Sequence, residues 1–121
     1  MKPNIKLAKQ IQEQIRKEPR QFYMGYWFTN GYGDDIPNCG TTACIAGWAL
    51  ALSWGLNPRQ AEARTNRLKT PERDLACKKL RITQFQGTKL FFRESWPTRF
   101  KRMADHKGAI KMLDLLIQGK L

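Results

Sequence analysis

The chain has 121 residues, with 22 Lys and Arg against 10 Asp and Glu, a formal net charge of +12. That length suits one domain with a hydrophobic core of its own, and the charge favours an anionic partner over a basic or a neutral one. Three cysteines, an odd number, exclude a fully paired disulfide framework.

Reduced thiols point to a cytoplasmic setting. The opening Met1-Lys2-Pro3-Asn4-Ile5 lacks the apolar stretch of a secretory signal. No apolar run reaches the roughly 18–20 residues of a membrane span, so no membrane partner is expected.

Ile5, Ala8, Ile11 and Ile15 recur at spacings of three and four, which predicts an amphipathic helix over 3–18, stopped at Pro19. Residues 22–28 hold five aromatics in seven positions, a segment too short to assign as strand or helix. Asn30-Gly31-Tyr32-Gly33-Asp34-Asp35 reads as a loop that Pro37 and Asn38 extend. Thr41 or Thr42 is the expected N-cap of a helix running to about Trp54, ended by Gly55 and Asn57-Pro58.

Pro58 opens a short helix through Arg64. Thr70-Pro71-Glu72 reads as an N-cap, a proline at the first helical position and an acid in the first turn, with the helix ending near Leu80. Thr83 and Gln86 have the spacing of a capping box and start a helix through Phe92. Trp96-Pro97-Thr98 marks another start, with Phe100 and Met103 on one face. Ile110, Leu113, Leu116 and Ile117 line a last amphipathic helix. No segment sustains the two-residue alternation of a sheet. The expected fold is all-α or nearly so, a single domain over 1–121: a compact bundle of about five or six short helices around a central helix holding Cys44 and Gly47.

The order Phe22-x-Met24-x-x-Trp27, then Cys39-Gly40-Thr41-x-x-Cys44-x-Ala46-Gly47-Trp48-Ala49, then Leu90-Phe91 and Trp96-Pro97 resembles a group of small uncharacterised bacterial and phage proteins. The resemblance covers roughly residues 11–100, and its cysteine-glycine segment is the most specific part. It implies a compact, mostly helical cytosolic protein and transfers no catalytic residue. This chain is more basic than that group, which leaves room for a partner of its own.

The cysteine-glycine segment invites two readings, an active site or a packed helix start. Cys39 is the one serious nucleophile, because a helix N-terminus lowers a thiol's pKa. Its spacing to Cys44 and Trp48 differs from that of papain-like proteases, however. The single histidine, His106, lies among Lys101, Arg102 and Lys107, a poor setting for a base. A glycine inside a helix costs about 1 kcal/mol against alanine, which a close helix or ring contact at Gly47 offsets. The packed reading is therefore preferred and no enzyme is expected, a Cys39-dependent one being the remote alternative. Cys39, Cys44, Cys77 and His106 lack the paired ligand spacing of a zinc site. Asp34-Asp35 reads as a solvated turn, and no nucleotide-binding glycine pattern occurs. No metal or cofactor is expected.

The charge is unevenly spread. Residues 1–20 carry a net +4, residues 21–58 a net −2 with no Lys or Arg, residues 59–111 a net +10, and the last ten are neutral. The expected function is a non-enzymatic basic protein that binds DNA or RNA through phosphate contacts with little sequence specificity. The candidate contacts are Arg59, Arg64, Arg67, Lys69, Arg73, Lys78, Lys79, Arg81, Arg93, Arg99, Lys101 and Arg102. Arginine predominates, suiting forked contacts to phosphate. The alternative is a phage or mobile-element inhibitor or adaptor that binds a host or defence nucleoprotein complex, docking through the aromatic 22–28 segment and the Tyr32 loop.

Overall fold

The computed structural model describes residues 2–22, 28–29 and 42–121, with side chains described for 2–22 and 43–121. Among them are seven α-helices: α1 (Ile5–Lys17), α2 (Ile45–Trp54), α3 (Pro58–Leu68), α4 (Glu72–Leu80), α5 (Gln84–Phe91), α6 (Thr98–Lys101) and α7 (Asp105–Ile117). Short 3-10 turns span Pro19–Gln21 and Arg93–Ser95. Among the described residues the departures from all-α are a two-residue antiparallel pair, β1 (Phe28–Thr29) with β2 (Thr42–Ala43), in which Phe28 pairs with Ala43 and Thr29 with Thr42, and an isolated parallel bridge between Phe22 and Ala43. The protein is nearly all-α, with seven helices among the described residues where about five or six were expected.

The helix ends follow local chemistry. Asn4 caps α1 by accepting from the Leu7 N–H at 3.1 Å. Gly55 ends α2 in the left-handed region at φ 68°, which costs glycine nothing. Asn57 and Gln60 form a capping box at the start of α3, and Thr83 and Gln86 form the expected one at α5.

Two starts differ from expectation. Residue 44 caps α2, because Thr42 is drawn into the strand pair with Thr29; Thr41 lies outside the described residues. Pro71, not Thr70, is the cap of α4: the Thr70 hydroxyl turns back to donate to the Leu68 carbonyl at 3.4 Å, while Glu72 and Asp74 supply the acids of the first turn. Helix α3 also runs one turn past Arg64, to Leu68.

Helix α2 is the centre of the fold. Every residue from Ile45 to Ala51 is buried, Gly47 included, and α1, α3, α4 and α5 all pack on it. A helix apolar on every side is satisfied only by such enclosure. Two buried indoles are tied down by their N–H groups, Trp48 to the Gln21 carbonyl at 3.0 Å and Trp96 to the Leu90 carbonyl at 3.1 Å. Helix α7 closes the bundle against α1, burying Ala109, Met112, Leu113 and Leu116. Its Gly108 is required by close approach: a Cβ there would stand 2.8 Å from the Phe100 carbonyl oxygen and 2.9 Å from the Trp96 ring. Met103 packs at the edge of this core and Phe100 within it.

Candidate nucleic-acid interface

The expected cations sort onto four elements. Arg59, Arg64 and Arg67 lie on α3 with Lys69 as its C-cap; Arg73, Lys78 and Lys79 lie on α4 with Arg81 as its C-cap. Arg93 opens a 3-10 turn, and Arg99 and Lys101 lie on α6 with Arg102 as its C-cap. Helix α3 buries Pro58, Ala61 and Thr65 against the core, which turns Arg59, Arg64 and Arg67 to solvent.

Helices α3 and α4 both pack on α2, and this brings cations from each to one ring. The Arg64 guanidinium carbon lies 4.7 Å from the centroid of the Trp54 ring, and Lys79 Nζ lies 5.9 Å from it. Both distances fall within the reach of a cation–π contact. A guanidinium laid on a ring keeps its N–H donors in its own plane, available to an anion. Trp54 is half-buried, the last residue of α2, and carries no charge; periodicity marked it only as a helix end. A signal existed, since Trp is the preferred ring for cations.

Lys69 and Arg81 occupy left-handed backbone, at φ 57° and φ 56°, the two positive-φ residues other than glycine among those described. A side chain there costs roughly 1–2 kcal/mol that glycine avoids. Each cation also complements the negative end of the helix dipole that it caps.

One candidate is engaged elsewhere. Arg93 Nε donates to Asp105 Oδ1 at 2.8 Å and its NH2 group donates to the Lys101 carbonyl at 2.6 Å, bracing the α5–α6 connection against the start of α7. Its guanidinium is committed within the protein. Arg73 lies 3.9 Å from Asp74, an exposed pair of small energetic weight. The other ten candidates have no carboxylate within 4.0 Å among the described residues. Arg99 lies 4.8 Å from the Phe100 ring centroid on α6, which packs on α7.

The cysteine segment divides. Cys39, Tyr32, Asp34 and Asp35 lie outside the described residues, as does Trp27. Cys44 is 1% exposed, and burial pushes its thiol up to about 11, outweighing the opposite pull of the Gly47 and Ala46 backbone N–H groups. Cys77 is buried too and its thiol is raised, again chiefly by burial. Its Sγ donates to the Thr83 carbonyl at 3.7 Å and fills the space beside Gly87, where a Cβ would collide with it. Both behave as small core residues. Among the described residues no three His, Cys, Asp or Glu side chains gather where they could hold a metal ion, and no helix is long and apolar enough to cross a membrane.

Fold and surface together define a nearly all-α protein with a buried central helix and basic flanks. Comparison with protein-family models, curated proteins and solved structures finds no match for the chain.

Proposed function

We propose that this protein is a non-enzymatic nucleic-acid-binding protein that holds DNA or RNA by its phosphates, with little sequence specificity. The observation that carries the reading is the set of ten exposed or half-exposed cations without a carboxylate partner among the described residues, two of which, Arg64 and Lys79, converge on Trp54. Ordinary solvated helix faces intersperse both signs, whereas residues 59–111 hold fifteen Lys and Arg against five Asp and Glu. Arg64, Lys79 and their neighbours on α3 and α4 form the centre of the contact surface; Arg99, Lys101 and Arg102 extend it. Arg93 is removed from the contact set because it braces α7.

The test is fluorescence anisotropy of labelled DNA and RNA titrated with the protein over a salt series. Affinity that falls steeply and linearly in log–log form supports the reading, since each neutralised phosphate releases counterions. Absence of any binding at low salt overturns it and transfers the basic surface to a protein or nucleoprotein partner.

A further inference from the structure

Phe85 is 69% exposed, against 39% for Ile5 and 48% for Leu68, the other exposed large apolar residues among those described. It is the one aromatic of the three, and nothing in the core requires it, because α5 buries Gly87, Leu90 and Phe91 instead. The first turn of α5 is held at both ends of its capping box. Gln86 N–H donates to Thr83 Oγ1 at 3.1 Å, and Thr83 N–H donates to Gln86 Oε1 at 3.0 Å. The Thr83 carbonyl is further tied to Cys77 of α4. Phe85 is therefore an exposed ring on an anchored turn. One helical turn on, Lys89 Nζ lies 4.4 Å from the ring centroid, and Arg81 at the α4 C-cap leads into the same turn.

An exposed ring with a cation over one face can take an unpaired base on the other. The base stacks on the ring and the adjacent phosphate meets the cation, a contact open to single strands and closed to a base held within a duplex. We infer that Phe85, with Lys89, is a stacking platform for single-stranded nucleic acid, so that the protein prefers single strands to duplex. This rests on the nucleic-acid reading above and narrows its ligand. Charge complementarity selects this occupant over an apolar protein surface, because the ring is already paired with an ammonium group.

The experiment measures binding of labelled oligo-dT of about twenty nucleotides, long enough for one small domain, and of the matching dA·dT duplex. The proteins are wild type, Phe85→Ala, Phe85→Leu and Phe85→Trp, each checked for helical content by circular dichroism. The wild type should bind the strand more tightly than the duplex. Phe85→Ala should weaken strand binding roughly five- to hundred-fold, the range for loss of one stacked base, and leave duplex binding unchanged. Phe85→Trp should retain the preference, and Phe85→Leu should lose it, since leucine is apolar but has no ring face. Equal effects on strand and duplex, or a leucine variant as good as wild type, overturn the platform while leaving phosphate binding intact. A wild type that binds neither ligand at low salt overturns both readings.

Discussion

Gln12 Nε2 donates to Asp114 Oδ1 at 2.7 Å, joining the middle of α1 to the last turns of α7. The same nitrogen donates to the Ile110 carbonyl at 3.0 Å, so both amide protons are used. Gln12 is 4% exposed, one of two buried polar side chains among the described residues, the other being Thr65. The first and last helices are thus held in register by one carboxamide within an otherwise apolar seam.

Replacing Gln12 by Leu should cost about 1–2 kcal/mol, because Asp114 is half-exposed and regains water. Gln12→Glu should cost more, about 3 kcal/mol, since it sets a second carboxylate against Asp114 in a buried place. Lowering the pH from neutral toward 5 should recover part of that loss as the introduced buried carboxyl takes up a proton, with no comparable recovery for the Leu variant. Urea midpoints at the two pH values measure both effects.

Gly108→Ala should destabilise by roughly 1–3 kcal/mol, the ordinary range for overpacking, because the new methyl meets the Phe100 carbonyl and the Trp96 ring together. Gly55→Ala is the contrast. No atom lies within 4 Å of its added Cβ, and its cost, about 1 kcal/mol, comes from the left-handed backbone alone. Thermal midpoints of the two variants separate crowding from backbone strain: near-ultraviolet circular dichroism should change around the indole for Gly108→Ala and stay constant for Gly55→Ala.

Arg93 and Arg81 should separate folding from binding. Arg93→Ala loses partly exposed hydrogen bonds to Asp105 and the Lys101 carbonyl, which should lower stability by about 1 kcal/mol and leave the salt dependence of nucleic-acid binding unaltered. Arg81→Gly and Arg81→Ala should both reduce the salt slope by about one, the share of a single phosphate contact. Of these two, the glycine variant should be the more stable by about 1 kcal/mol, because it removes the left-handed strain that alanine keeps. Salt titrations and urea melts on the same samples decide the matter.

The Cys44 thiol has a pKa of about 11 in the folded protein against 9.0 for an unperturbed thiol. The raised value favours the protonated native state, so this contribution is whole below pH 9 and is lost as pH rises toward 11. Two units correspond to roughly 3 kcal/mol. Other groups titrate in the same window, so the quantity to measure is the stability of wild type minus that of Cys44→Ala, which should fall between pH 9 and 11. Cys44 and Cys77 should also resist a thiol reagent at neutral pH until the chain is unfolded.

Most of the helical frame was legible in the residues. The three-and-four spacing of Ile5, Ala8, Ile11 and Ile15 placed the first helix within two residues at its start and one at its end, and the Thr83–Gln86 spacing became the capping box that it implied. Gly55 stopped α2 as glycine stops helices generally. These signals are local, carried by the backbone needs of a helix end and the repeat of one buried face. The cap of α2 was misread because Thr42 had a competing partner in Thr29, which no local pattern reveals. The bond from Arg93 to Asp105 was not legible, because the two lie twelve positions apart. The Cys39 segment was singled out, but it falls outside the described residues, whereas Cys44 proved a core residue.

The sequence by itself determined that the protein is nearly all-α, built around a helix that only enclosure satisfies, and strongly basic after residue 58. Periodicity, caps and formal charge are properties of neighbours along the chain. The tertiary structure alone decided which cations lie together, since Trp54, Arg64 and Lys79 sit on three helices brought together by the packing of α3 and α4 on α2. It also decided that Arg93 meets an acid at the surface while Phe85 faces water. Side-chain availability depends on what the folded chain brings within a few ångströms, and for these residues that neighbour is distant in sequence or absent.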